Sequence, residues 1–149
     1  MLIREMTRDE SVALLSRNRR GRLACARDGQ PYITPIHFAH DADYLYCFST
    51  LGQKIEWMRT NPLVCVETEE VESSSTWATV IVLGRYEELP RTPARTPEYE
   101  EARRVGNALL QDQPMWWEPG SSMLLDAQRE LEIVYFRIDI SDISGRRAG

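Results

Sequence analysis

The hydrophobic pattern changes character near residue 20. Before it, Thr7 and Glu10 form a T-x-x-E capping box ahead of Val12 and Leu15, which predicts a helix over about 8–18. After it, short apolar runs alternate with turn residues. Residues 22–26 and 32–38 flank Asp28-Gly29, the signature of a hairpin, with Pro35 placing its strand at an edge or a bulge. Residues 44–49 read as a third strand, 53–59 as a short helix stopped by Asn61-Pro62, and 63–68 as a fourth strand. Glu67, Glu69, Glu70 and Glu72 read as an acidic, solvated connection and 73–76 as a polar loop, before a long strand over 77–89 with a bend at Gly84. Residues 90–97 form a proline-rich connector, Thr96-Pro97-Glu98 starts a helix running to about 111, 113–120 is an aromatic loop, 131–140 the last strand and 142–147 a basic tail.

Six strand-like stretches with short turns and few helices predict a mainly β chain, an antiparallel barrel rather than a βαβ sheet, with an α+β sandwich as the alternative. At 149 residues, 42% of them hydrophobic, the chain suits a single domain over 1–149. A net charge of -5 and a pI near 5.1 offer no global attraction to nucleic acid or anionic membranes. The local exception, Arg17, Arg19, Arg20 and Arg22, reads as cations at a helix C-terminus. Cys25, Cys47 and Cys65 lie in separate apolar runs without a C-x-x-C pair and read as small core residues, and no long apolar segment or leader opens the chain; a reduced, cytoplasmic protein is expected.

One segment carries chemistry. In Ser49-Thr50-Leu51-Gly52-Gln53-Lys54 a strand ends in two hydroxyls, a glycine turns the backbone, and a helix opens with a lysine. Free helical N–H groups, hydroxyls and an ammonium converging there would satisfy a phosphate; a solvated lysine on an ordinary helix is the alternative. His37 and His40 lack a positioned second group or a third metal ligand, so no metal site is expected and no catalytic residue is assigned.

Taken in order, several motifs make the chain resemble the pyridoxamine 5'-phosphate oxidase-like FMN-binding split-barrel superfamily, which includes nitroimidazole-resistance proteins. They are Gly21-Arg22-Leu23-Ala24, the G-x-P-x-x-x-P run Gly29 to Pro35, Leu45 to Thr50 with Gly52 and Lys54, Asn61-Pro62-Leu63-Val64, Trp77 to Gly84, and Ile143-Ser144-Gly145-Arg146. The resemblance implies an antiparallel split β-barrel with a few peripheral helices, a homodimer, and FMN at the subunit interface. It implies that Ser49, Thr50, Gln53 and Lys54 hold the phosphate. The backbone of Thr34, Pro35, Ile36 and His37 would run along the isoalloxazine, with Trp77 and Thr79 bordering it from the same or the partner subunit. Independently of the resemblance, Trp116 and Trp117, adjacent in a loop between prolines, suit a cover for the cofactor pocket or the dimer seam.

The chain departs from the family at Phe48, where many resistance-type members carry histidine, and at Gln53, where the oxidases often carry arginine. It also lacks the arginine-rich ending of the vitamin B6 oxidases. The expected function is that of an FMN-dependent oxidoreductase for a small molecule, with a nicotinamide nucleotide as electron donor. The alternatives are a flavin-binding module without turnover, or a deazaflavin- or haem-binding member of the fold.

Overall fold

The structure, a computed structural model, describes residues 1–89 and 132–149, together with positions 97, 99–101, 104 and 108 and the strand pairs 123–124 and 129–130. The aromatic loop with Trp116 and Trp117 and most of the proline-rich connector lie outside the described residues.

Short-range signals set the early elements. β1 (Ile3–Glu5) precedes α1 (Arg8–Arg17), whose N-terminus carries the predicted capping box: the Glu10 amide donates to Thr7 Oγ1 and the Thr7 amide to Glu10 Oε2. β2 (Arg20–Arg27) and β3 (Gln30–Asp41) turn at Asp28 and Gly29, with φ of 52° and 78°. Two successive left-handed residues match the right-handed twist of the flanking strands, and the Asp-Gly pair supplies them. β4 (Tyr44–Thr50), α2 (Gln53–Thr60), β5 (Leu63–Ser73) and β6 (Thr76–Glu88) follow, then a small hairpin, β7 (Met123–Leu124) with β8 (Arg129–Glu130), and β9 (Ile133–Ala148).

The large sheet is ordered β1-β9-β4-β3-β2-β5-β6, and β6 pairs back onto β9, so the strands from β9 round to β6 form a closed antiparallel ring. Closure leaves β9 with β6 along one side while its other side holds β4 first and β1 last. Inward positions alternate along each strand: Leu23 and Cys25, Ile36 and Phe38, Leu45 and Cys47, Val80 and Val82, Phe136 and Ile138 are all buried in one core. α1 adds Leu14 and Leu15 to it, and α2 adds Ile55 and Met58. A second cluster, Tyr46, Phe48 and Leu89 with Tyr135, lies on the opposite strand face, where Tyr99 meets Tyr135 edge-on at 5.2 Å.

Three expectations need correction. The acidic stretch after residue 68 is not a solvated connection but the second half of β5, paired through Glu70↔Ala78 and Val71↔Trp77, and the turn shrinks to Ser74-Ser75. Glu67 and Glu69 face outward beside Cys65, whereas Glu70 falls on the inner face in line with Thr68, where α1 covers the ring and Arg17 holds it through two contacts of 2.7 and 2.8 Å. The basic ending is likewise no tail: β9 continues to Ala148, and Gly145 lies so close to Met6, Ser11 and the Thr79 carbonyl that any side chain would collide. Cys65 is half-buried on the outer side, unlike the two core thiols. No helix among the described residues is long and apolar enough to cross a membrane.

Candidate functional site

The ring is not evenly zipped. β3 pairs with β2 from Gln30 to His37, but with β4 only from Phe38 to Asp41. Beyond Phe38↔Cys47 the two strands part, leaving Thr34 to His37 on one side of a split and Phe48 to Thr50, held only to β9, on the other. The Phe38 amide donates to Arg19 on the β2 side, so by alternation the main-chain groups of Pro35 and His37 point toward β4 and the split. Pro35 fits this position because it has no N–H to leave without a ladder partner.

Just past the split the chain turns through Gly52 into α2. Gly52 provides no side-chain cap, so the first amides of α2 keep their donor capacity and the positive end of the helix dipole stays open. Ser49 is buried, on the same strand face as the core residue Cys47. Lys54, in the first turn, is half-buried, and neither its ammonium nor the Ser49 hydroxyl has a hydrogen-bond or carboxylate partner among the described residues. Burial draws the Lys54 pKa below its ordinary value, opposed by the nearby Cys47 and Cys25 sulfurs. A desolvated, unneutralised cation beside an uncapped helix start and two hydroxyls suits a phosphate dianion. Gln53 is exposed and Thr50 half-exposed at the rim.

The two histidines differ. His40 is committed on both ring nitrogens: the Ser16 hydroxyl donates to Nδ1 at 2.7 Å, and Nε2–H donates to the Ala42 carbonyl at 2.8 Å. It ties α1 to the end of β3. His37 is buried on β3; burial first, and the Arg20 charge second, push it down to about 4, so it is neutral near pH 7.

Thr34 to His37, Ser49, Thr50, Gln53 and Lys54 therefore gather around the split, whereas Trp77 and Thr79 do not. β6 lies three strand steps from β3 in either direction round the ring, about 14 Å along the sheet at ordinary strand spacing. Thr79 lines a groove of about 560 Å³ with Ile81, Ile143 and Arg146. The sequence reading put Arg20 and Arg22 at a helix end and also offered Arg22 or Arg85 as further positive charge for the phosphate, without a place for either. Arg20 and Arg22 stand on β2 on either side of Gly21, in a groove shared with Pro35, and the R-G-R alternation on one strand was the available signal.

Comparison with known proteins follows the same outline. The family model described as pyridoxamine 5'-phosphate oxidase matches residues 7–147. An uncharacterised protein of Rhizobium meliloti is 41% identical, with 99% of this chain and 97% of the relative covered. A FAD-binding protein of Mesorhizobium loti superposes with a TM-score of 0.81 at 43% identity over the whole of both chains. The FAD-binding protein of Mycobacterium smegmatis shares the fold, with a TM-score of 0.68 at 19% identity over 98% of this chain and 100% of that one.

Proposed function

Because the chain belongs to the pyridoxamine 5'-phosphate oxidase family, we propose that it binds FMN, or the FMN half of a larger flavin, with the 5'-phosphate at Ser49, Thr50, Gln53 and Lys54. The observation that carries this reading is the half-buried, unneutralised Lys54 at the uncapped start of α2. The Mesorhizobium loti relative, itself a FAD-binding protein, supports a flavin.

The split-facing main chain of Pro35 and His37 offers the hydrogen-bonding edge that a flavin's pyrimidine side requires. Trp77 and Thr79 stand too far round the ring to border the same ring system from one subunit, so a second copy completes the site. Its docking face is the outer surface of β3, β2, β5 and β6. There the cross-strand row Ile33, Ala24, Cys65, Leu83 is apolar, with Ile33 64% and Leu83 49% exposed, and Leu63 (63%) and Ile81 (44%) beside it.

A bound flavin supplies hydride transfer, which explains why the protein needs no nucleophile of its own. The protein's share is orientation and exclusion of water. Burial makes His37 a weak base and both ring nitrogens of His40 are committed, so neither is assigned a catalytic role. The reaction is an oxidoreduction of a small molecule, with a nicotinamide nucleotide returning the two electrons.

The test is titration of the apoprotein with FMN, followed by flavin fluorescence, with riboflavin as the ligand lacking phosphate. Tight FMN and weak riboflavin binding are expected, and NADH should bleach the flavin absorbance anaerobically. Equal affinities would remove the phosphate site, and a bound flavin that NADH does not bleach would leave a binding module.

A further inference from the structure

The β2–β5 ladder ends at Arg22↔Glu67, and beside that end a groove of about 300 Å³ opens between Arg20, Gly21, Arg22, Pro35, Thr68 and Glu69. Arg20 and Arg22 are two apart on one strand and so project from the same face. Gly21 lies between them with no room for a side chain: a Cβ would come within 2.4 Å of the Glu67 carbonyl oxygen.

These guanidiniums are committed differently from others in the chain. Arg17, Arg59 and Arg137 each grip a carboxylate through two hydrogen bonds. Arg22 reaches Glu67 only at 3.9 Å, and the Arg20 guanidinium has no hydrogen bond or ion pair among the described residues. The groove floor is fixed, because the buried Thr68 hydroxyl donates to the Arg20 carbonyl at 2.8 Å and accepts from Asn18 Nδ2 at 2.9 Å. Glu69 stands exposed at the rim. Two planar cations on a concave wall, one without a carboxylate partner and one held by Glu67 only at 3.9 Å, with Glu69 at the rim, match a nucleoside diphosphate: the guanidiniums take the phosphates and Glu69 accepts from ribose hydroxyls. Pro35 belongs both to this groove and to the strand along the split.

We infer that this groove holds the adenosine diphosphate half of a dinucleotide whose other half reaches the split. The inference rests on the flavin reading above for that second half. The same chemistry has two sources, FAD itself or the nicotinamide dinucleotide that delivers electrons.

ADP titrated alone into the full-length apoprotein reads the groove without the flavin. Measurable binding is expected, weakened at least tenfold in Arg20→Gln/Arg22→Gln. If FAD is the source, the wild type binds FAD at least tenfold tighter than FMN, and the double variant brings the ratio to near one with FMN affinity unchanged. If the nicotinamide dinucleotide is the source, FAD and FMN bind alike, and ADP competes with NADH on the FMN-loaded protein in the wild type only. Should the double variant fail to fold, Glu69→Gln replaces it and should reduce the preference for ADP over inorganic pyrophosphate. ADP that does not bind, or that binds wild type and variants alike, overturns the inference; absence of FMN binding alongside arginine-dependent ADP binding overturns the flavin reading instead.

Discussion

Lys54 and His37 are both withdrawn from water, with opposite consequences. For Lys54 burial disfavours the charged form, so an incoming dianion restores what desolvation removed. Lys54→Ala should therefore weaken FMN about tenfold or more, the loss of one charge-assisted contact of roughly 1.5–3 kcal/mol, while leaving riboflavin binding unchanged. Fluorescence titration with both ligands reads this directly, and an equal loss for both would show that Lys54 supports the ring rather than the phosphate. For His37 the folded value lies near 4 and the ordinary value near 6.5, so on acidification the unfolded chain takes up the proton first. Stability from the neutral imidazole is complete above about pH 6.5 and is lost as pH falls toward 4, by up to about 3 kcal/mol. Urea unfolding at pH 7 and pH 4.5 checks the sign: His37→Gln should lose clearly less stability between the two than the wild type.

Among the elements, β6 shows how a single residue shapes the ring. Its register against β9 shifts between Leu83 and Gly84, and a Cβ at Gly84 would meet Ile138 Cγ2 at 2.5 Å and the Asp139 carbonyl oxygen at 2.6 Å. Gly84→Ala should force these strands apart and destabilise the fold by about 1–3 kcal/mol, seen as a lower melting temperature with the secondary structure retained at room temperature. This bend was legible, as were the capping box of α1, the Asp28-Gly29 hairpin and the Asn61 stop of α2, because each depends on a few adjacent residues. The Ser49 to Lys54 segment was legible as structure for the same reason, being one strand end, one turn and one helix start. The second half of β5 was not, since Glu67 to Glu72 look solvated until the pairing with β6 and the Arg17 partner of Glu70 are known. The strand character of 142–148 was hidden too: its partners, β6 and β1, lie far away in the chain, the nearest pair being Leu83↔Asp142, and no local pattern announces them. The split itself follows from where two ladders stop, a fact of pairing that Pro35 marks without specifying.

On the proposed reading one chain does not complete the site, because the Ser49–Lys54 segment and the Trp77–Thr79 segment stand on opposite arcs of the ring. If two copies meet on the outer face of β3, β2, β5 and β6, the apolar row through Leu83 is covered, and Trp77 and Thr79 of one copy approach the split of the other. A charge placed in that row would be buried without a partner on association, at a cost of several kcal/mol, yet would stand in water in the monomer. Leu83→Glu should therefore convert a dimer to a monomer by light scattering, with an unchanged circular dichroism spectrum since residue 83 is half-exposed in the single chain. FMN affinity should fall at least tenfold in the same variant, although Leu83 belongs to a different arc from Lys54. A monomer that still binds FMN at full strength would mean that each ring completes its own site, and an undisturbed dimer would move the interface to another face.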